Sequence, residues 1–137
     1  MAVANIISPD VYGEAPLLEG AACTGLLVQS FILGGELVSP ANVTFIGAND
    51  IWHRLVLDAG TIHWRLEPGT PVSSAVVEQG WEYPLTNVGS AAGLIGDRIL
   101  GCIARSIDGG CRVEIGFQSG RQLVLEEQAD VVRYGVI

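Results

Sequence analysis

The stretch RILGCIARSIDGGCRVEIGFQSGRQLVLEE, residues 98–127, decides the fold class. It contains two reversals, one at Asp108-Gly109 and one at Gln118-Ser119-Gly120. Asp-Gly suits a type I′ hairpin turn because both central residues of that turn need a positive φ. Between the reversals apolar and polar residues alternate, which is typical of strands with one buried face. The stretch therefore predicts a three-stranded antiparallel meander.

The reversals also fix the register of the strands. With Asp108-Gly109 at the tip, the predicted pairs on the core face are Ser106–Cys111, Ala104–Val113, Cys102–Ile115 and Leu100–Phe117. A three-residue loop ending in Gly120 then matches apolar residues with apolar residues and sets Arg112 opposite Glu126. A two-residue loop would set Val113 against Glu126, so we predict the longer loop.

A second hairpin is predicted upstream, where IWHRLVL (51–57) and TIHWRLE (61–67) flank Ala59-Gly60. A two-residue loop gives the pairs Leu57–Ile62, Leu55–Trp64 and His53–Leu66. Arg54 then lies opposite Arg65 on the other face. Like charges in directly opposite positions destabilise a sheet, so we expect an acid from elsewhere to lie between them.

The starts of the two regions resemble each other. LEGAACTGLLVQS (18–30) aligns without a gap to LIGDRILGCIARS (94–106), and the identical residues are Leu18 and Leu94, Gly20 and Gly96, Gly25 and Gly101, and Ser30 and Ser106. This predicts an internal duplication with units 18–67 and 94–127, and two unrelated β-stretches are the alternative. We expect one domain, 1–137, of mainly antiparallel all-β class, with two meanders packed as a sandwich or a partly open barrel.

Shorter elements are predicted around these units. Gly34-Gly35 predicts a turn, and the short strand candidates Glu36–Val38 and Val43–Ile46 are separated by Pro40. Val131 to Tyr134 predicts a final edge strand.

The chain is acidic, with a formal net charge of −8, and its seven bases are all arginine. This charge disfavours binding to nucleic acid or to an anionic membrane and favours a basic protein partner. An acidic surface is also common for solubility alone. No apolar run is long enough for a spanning helix, and MAVANIISPD lacks the basic region of a signal peptide, so we expect a cytoplasmic protein.

Residues suited to catalysis or metal binding are few. The two histidines, His53 and His63, fall on opposite faces of their hairpin, so they cannot share a metal through one face. Cys23, Cys102 and Cys111 are odd in number, without a CxxC spacing, and predicted to be reduced and buried in strands, which raises a thiol pKa. We expect no catalytic residue, metal or cofactor.

One face of the upstream hairpin is the candidate partner-binding surface, because exposed Trp and Arg anchor many protein interfaces. The residues projected onto it are Trp52, Arg54, His63, Arg65 and Glu67. The acids near it in the sequence, expected to form a rim that attracts a basic partner, are Glu36, Asp50 and Asp58. The alternative is that other segments cover this face and make Trp52 part of the core.

The pattern from Leu94 to Leu125, L-x-G-x-x-I, strand, Asp-Gly, strand, F-x-x-G-x-x-L-x-L, resembles many small bacterial β-rich proteins. Some of these resemble immunity proteins that neutralise toxins. The resemblance covers about a quarter of the chain and implies a compact, acidic, cytoplasmic binder. It assigns no functional residue.

These observations predict a non-enzymatic protein-binding module of immunity or antitoxin type, which covers the working site of a basic toxin domain. Two alternatives stay open. One is a structural protein that self-associates through edge strands or residues 31–50 into a homo-oligomer. The other is a small-molecule-binding barrel or an enzyme with a cavity between the halves.

Overall fold

The computed structural model describes residues 8–137, and the chain forms two β-sheets. Residues 1–7, part of the segment examined for a signal peptide, lie outside the described residues. The described strands are β1 (Val11–Tyr12), β2 (Cys23–Leu33), β3 (Glu36–Ala48), β4 (Ile51–Asp58), β5 (Thr61–Leu66), β6 (Ser74–Val76), β7 (Trp81–Tyr83), β8 (Leu85–Asn87), β9 (Ile99–Ile107), β10 (Gly110–Phe117), β11 (Gln122–Gln128) and β12 (Val131–Val136). The other described elements are a 3₁₀ turn at Val77–Gln79 and the one-turn helix α1 at Val88–Ala91.

The first sheet has the strand order β1-β5-β4-β3-β2-β7-β6, and β8 also pairs with β2. The second sheet has the order β12-β11-β10-β9. All neighbours are antiparallel except β1 and β5, which run parallel. The sheets are not closed into a barrel. The predicted all-β class is therefore confirmed, and within residues 8–137 no helix has the length and apolarity needed to cross a membrane.

One hydrophobic core lies between the two sheets. The first sheet contributes fully buried residues from neighbouring strands, such as Leu26, Ile46 and Leu55, and the second contributes Ile115 and Leu123. Each side chain of this size stabilises the fold by about 1.5–3 kcal/mol when it leaves water. Alternation along β10 and β11 turns every second residue into this core, as the sequence pattern predicts.

The predicted register of the last third is confirmed except at one end. Ser106–Cys111, Ala104–Val113 and Cys102–Ile115 are partners, and the longer loop at Gly120 is present. Arg112 lies opposite Glu126 and forms an ion pair of 3.1 Å with it.

The predicted pairing of Leu100 with Phe117 is wrong. The register shifts between Gly116 and Phe117, and Ile99 becomes the partner of Phe117. Ile99 is fully buried while Leu100 is 56% exposed. The shift is a β-bulge, which inserts one unpaired residue into a strand and turns the following side chain to the other side.

Cys102 was also predicted to be buried, and that prediction is wrong because Cys102 is exposed. It lies on β9, the edge strand of the second sheet, which the first sheet does not cover along its length. Cys23 and Cys111 are buried as predicted, and the three thiols form no disulfide.

The two short strands predicted on either side of Pro40 are one continuous strand, β3. The ladder between β2 and β3 is irregular between Gln29 and Ile32, across the hairpin from Pro40. The hydroxyl of Ser30 donates a hydrogen bond of 2.8 Å to the carbonyl of Pro40. Such irregularities accommodate a residue that has no N–H to give to the ladder.

The two L-x-G segments that precede β2 and β9 bind each other in a clasp, which we define as residues 18–23 with 94–99. Ala22 and Arg98 form an isolated antiparallel bridge. The hydrogen bonds of the clasp form two equivalent pairs. In the first pair, Gly20 N–H donates to Ile99 O and Gly96 N–H donates to Cys23 O, both at 2.8 Å. In the second pair, Ile99 N–H donates to Ala21 O at 2.8 Å and Cys23 N–H donates to Asp97 O at 2.7 Å. A four-stranded meander follows each segment, β2–β5 after the first and β9–β12 after the second.

A buried carboxylate connects the turns of the two sheets. Glu127, at 1% exposure, accepts a hydrogen bond of 2.6 Å from Gly60 N–H in the first sheet. Its other oxygen accepts one of 3.1 Å from Asp130 N–H in the turn before β12. Backbone donors thus satisfy a buried charge that has no basic partner among the described residues.

Candidate functional site

The hairpin β4–β5 has the predicted register, and its two faces differ in chemistry. Leu57–Ile62, Leu55–Trp64 and His53–Leu66 are partners, as are Arg54 and Arg65. The inner residues Leu55, Leu57, Ile62 and Trp64 are buried in the core. The outer face carries Trp52, Arg54, His63 and Arg65, and we call these four residues the Arg–Trp face. The alternation of the strands separates the two faces, and His53 and His63 therefore point in opposite directions.

Arg54 lies in the middle of a cross-strand row. Its partner on β3 is Phe45, which is buried, and its partner on β5 is Arg65, which is exposed. The Nε atom of Arg54 is buried and has no hydrogen-bond acceptor. The expected acid between the arginines is absent, because within the described part of the chain no ion pair involves either of them. The prediction of an intervening acid is therefore wrong.

The two arginines line an open groove of about 470 Å³. The lining residues are Tyr12, Gly13, Arg54, Val56, Asp58, His63, Trp64 and Arg65. The groove lies on the outer side of the first sheet, away from the second sheet. Its volume is sufficient for a side chain or a chain terminus from another molecule.

Hydrogen bonds fix the protonation of one ring nitrogen of His63. The Thr61 hydroxyl donates to the carbonyl of Asp58 at 2.6 Å, which uses its only hydrogen. The same oxygen lies 2.9 Å from Nε2 of His63, so Nε2 carries the hydrogen and donates it to Thr61. The ring also stacks on Tyr12, with centroids 5.0 Å apart and an interplanar angle of 14°. Together the two rings form an aromatic wall of the groove.

Trp52 lies on the same face of the hairpin as the arginines and is partly buried, so it is neither fully exposed nor part of the core. A Cβ atom added to Gly25 would overlap its indole ring, which shows that the ring lies directly on Gly25. Gly47 is the residue between them, as the β3 partner of both. The indole covers backbone that two glycines leave bare. Glu67 is held beside it, since its N–H donates to the carbonyl of Trp52 at 3.0 Å.

The three acids expected as a rim are not brought together. Asp50 follows β3 and Glu36 begins it, so the length of the thirteen-residue strand separates them. Asp58, at the end of β4, lines the groove with the arginines. Only Asp58 therefore contributes its carboxylate to the Arg–Trp face.

The described residues provide little that is suited to catalysis or metal binding. No group of three or more His, Cys, Asp or Glu side chains within residues 8–137 is close enough to hold a metal ion. Burial raises the pKa of Cys23, and burial with the nearby Glu127 carboxylate raises the pKa of Cys111 to about 11. These thiols are protonated at neutral pH, as their positions in strands predicted.

Sequence reasoning did not find Tyr12. It belongs to a two-residue strand that pairs in parallel with β5 from a distant part of the chain, and so short a strand has no periodic pattern. It also did not find the row Leu33–Trp81–Val76 across β2, β7 and β6, whose side chains are 36–44% exposed. The aromatic residues of WEYPL (81–85) were the one sequence feature that pointed to this row.

Comparisons with protein-family models, curated proteins and solved structures give no match for this chain. The function of the site therefore has to be inferred from its own chemistry.

Proposed function

We propose that this chain is a non-enzymatic protein-binding module that contacts its partner through the Arg–Trp face. One observation carries the proposal. Arg54 and Arg65 lie directly opposite each other at an open groove, and no acid within residues 8–137 forms an ion pair with either of them. Opposed like charges cost folding free energy, and a partner that supplies acceptors would recover it.

The composition of the face supports a protein partner. Trp and Arg are enriched among the residues that contribute most to protein–protein affinity. Here Trp52 rests on glycine backbone and the arginines are two strand positions further along β4 and β5. The regular strands fix the backbone positions of these residues before binding, which lowers the entropic cost of association.

The proposal extends to an immunity or antitoxin role. The net charge of −8 attracts a partner that is basic overall and raises the association rate. The arginines of the Arg–Trp face then pair with carboxylates of that partner. Covering a working site that contains acidic residues would inhibit the partner by steric exclusion, without any reaction.

The test is binding to the product of the neighbouring reading frame, measured by isothermal titration calorimetry. Arg65→Ala should weaken the complex by about thirtyfold, the size of a hot-spot residue. Arg121→Ala is the matched control, because Arg121 is an exposed arginine in the β10–β11 turn. Equal affinities of the two variants, or no complex at all, would reject the proposal.

A second candidate is self-association through β9, which one observation favours. β9 is an edge strand whose only strand partner in the described chain is β10, and Leu100 and Ile103 are each 56% exposed on it. Apolar edge strands tend to pair with other chains. Light scattering should then show a mass that rises with concentration and that Ile103→Lys returns to the monomer value. A wild-type monomer at high concentration would exclude it.

A further inference from the structure

The groove contains one donor that has no acceptor. Arg54 Nε is shielded from solvent and makes no hydrogen bond with the described chain. A buried donor without a partner costs folding free energy. No acceptor of the described chain reaches this nitrogen, and within residues 8–137 no ion pair involves the guanidinium group that carries it.

The charges around this donor match a single negative charge. Two arginines, Arg54 and Arg65, and one acid, Asp58, line the groove. The formal charges of these three side chains sum to one net positive charge. The excess is local, since the whole chain has a charge of −8.

We propose that the groove is a carboxylate-binding site, in which Arg54 and Arg65 hold the carboxylate of an Asp or Glu side chain or of a chain terminus. The inference deepens the proposed function, on which it rests for the source of the group, by naming what the Arg–Trp face recognises in its partner. The carboxylate oxygens accept from the terminal guanidinium nitrogens of Arg54 and Arg65, the two arginines that line the groove. Guanidinium groups bind planar carboxylates with two parallel hydrogen bonds, which favours this geometry.

A carboxylate fits better than a phosphate for two reasons. A phosphate monoester carries close to two negative charges at neutral pH, one more than the groove neutralises. The second charge would meet Asp58 at the groove wall, in a chain whose net charge is −8. A monoanion avoids both repulsions.

The aromatic wall completes the site. His63 uses Nε2–H on Thr61 and stacks its ring on Tyr12. The stacked faces and Val56 offer an apolar surface beside the two guanidinium groups. The methylene groups that carry a side-chain carboxylate can pack there while the oxygens reach the arginines.

The experiment uses the isolated chain and two peptides. N-acetyl-Ala-Ala with a free terminal carboxylate is the probe, and the same peptide with a terminal amide is its control. We expect a saturable shift of the Arg54 Nε–H signal in a ¹H–¹⁵N spectrum with the acid and none with the amide. Arg65→Gln should weaken this binding at least about tenfold, and Arg121→Gln should leave it unchanged.

Asp58→Asn gives the opposite test, because it removes the negative charge from the groove. The peptide carboxylate should bind about three- to tenfold more tightly to this variant. Inorganic phosphate that binds the wild-type chain more tightly than the peptide acid would overturn the choice of carboxylate. The absence of any saturable shift at Arg54 would overturn the site.

The proposed protein-binding function and the proposed carboxylate site can be rejected independently of each other. If the peptide binds but the partner complex is insensitive to Arg65→Ala, the carboxylate site stands and the proposed contact surface is wrong. If the partner complex depends on Arg65 but no peptide carboxylate shifts Arg54, the protein-binding module stands and the carboxylate site is wrong.

Discussion

Ala22 forms an antiparallel bridge with Arg98, the residue that it matches in the gap-free alignment of the two L-x-G segments. An antiparallel bridge between matched residues lies on a local two-fold axis, and the flanking hydrogen bonds of the clasp come in equivalent pairs. Both meanders begin at matched residues, Cys23 and Ile99. The descent of the halves from one ancestral unit stays a prediction, and this symmetry supports it.

The symmetry of the clasp predicts that substitution of Gly20 and substitution of Gly96 destabilise the fold equally. Gly20 has a φ of 84° and Gly96 a φ of 86°, in the left-handed region that side chains disfavour. Gly20→Ala and Gly96→Ala should each lower the free energy of unfolding by about 1–2 kcal/mol, as measured by urea denaturation. Gly101→Ala is the control, since Gly101 has no positive φ and no atom near an added Cβ. Losses as small as that of the control would contradict the importance of the clasp.

The hydrogen bonds of Glu127 predict that replacing its carboxylate with an amide destabilises the fold. Its two oxygens accept from Gly60 N–H and Asp130 N–H, so an amide in its place would turn an NH₂ group toward a backbone donor. Glu127→Gln should destabilise the fold by about 1–3 kcal/mol in urea titrations. The neighbouring Glu126→Gln removes only a surface ion pair with Arg112 and should cost about 0–1 kcal/mol. Similar losses for both variants would show that Glu127 does not link the sheets.

The contact of Trp52 with Gly25 predicts that this glycine tolerates no side chain. A Cβ at Gly25 would overlap the indole and force it away from the sheet. Gly25→Ala should lower the free energy of unfolding by about 1–3 kcal/mol and expose Trp52 to a fluorescence quencher. Gly116→Ala, at a strand glycine with open space around it, should do neither. Unchanged quenching in Gly25→Ala would mean that the ring does not rest on the glycine.

The turns could be predicted from sequence because their chemistry is local. Asp108-Gly109, Ala59-Gly60 and Gly120 fixed the hairpin registers, since a short loop permits few strand alignments. The pairing of Arg54 with Arg65 followed from the same rule, and with it most of the candidate surface. Local chemistry was therefore sufficient wherever neighbouring strands are joined by a tight turn.

The features that sequence missed depend on distant contacts. Tyr12 reaches His63 through a parallel pair between segments far apart in the chain. The exposure of Cys102 depends on which strand is left at the sheet edge, and no pattern within β9 specifies that. The missing acid between the arginines was an inference from energetics alone. No ion pair within residues 8–137 relieves that repulsion, and such local conflicts are typical of functional sites.

The bulge, which the sequence did not predict, gives the adjacent residues Ile99 and Leu100 opposite environments, so their substitution should affect stability differently. Ile99 is fully buried opposite Phe117, while Leu100 is 56% exposed. Ile99→Ala should cost about 2–5 kcal/mol because it leaves a cavity, and Leu100→Ala should stay within about 0.5 kcal/mol of wild type. Urea denaturation measures both. The reverse order would restore the simple register and exclude the bulge.

His53 predicts a pH dependence of stability. Burial lowers the pKa of His53 below its usual value of 6.5, because the partly enclosed ring disfavours the charged form. Between the two pKa values the unfolded chain binds more protons than the folded chain, so the free energy of unfolding rises with pH there. The stabilisation is present above pH 6.5 and is lost as pH falls through the lower pKa of the folded state. Urea titrations at pH 7.5 and 5.5 should show a smaller loss for His53→Gln than for wild type, and equal losses would assign the pH dependence to other groups.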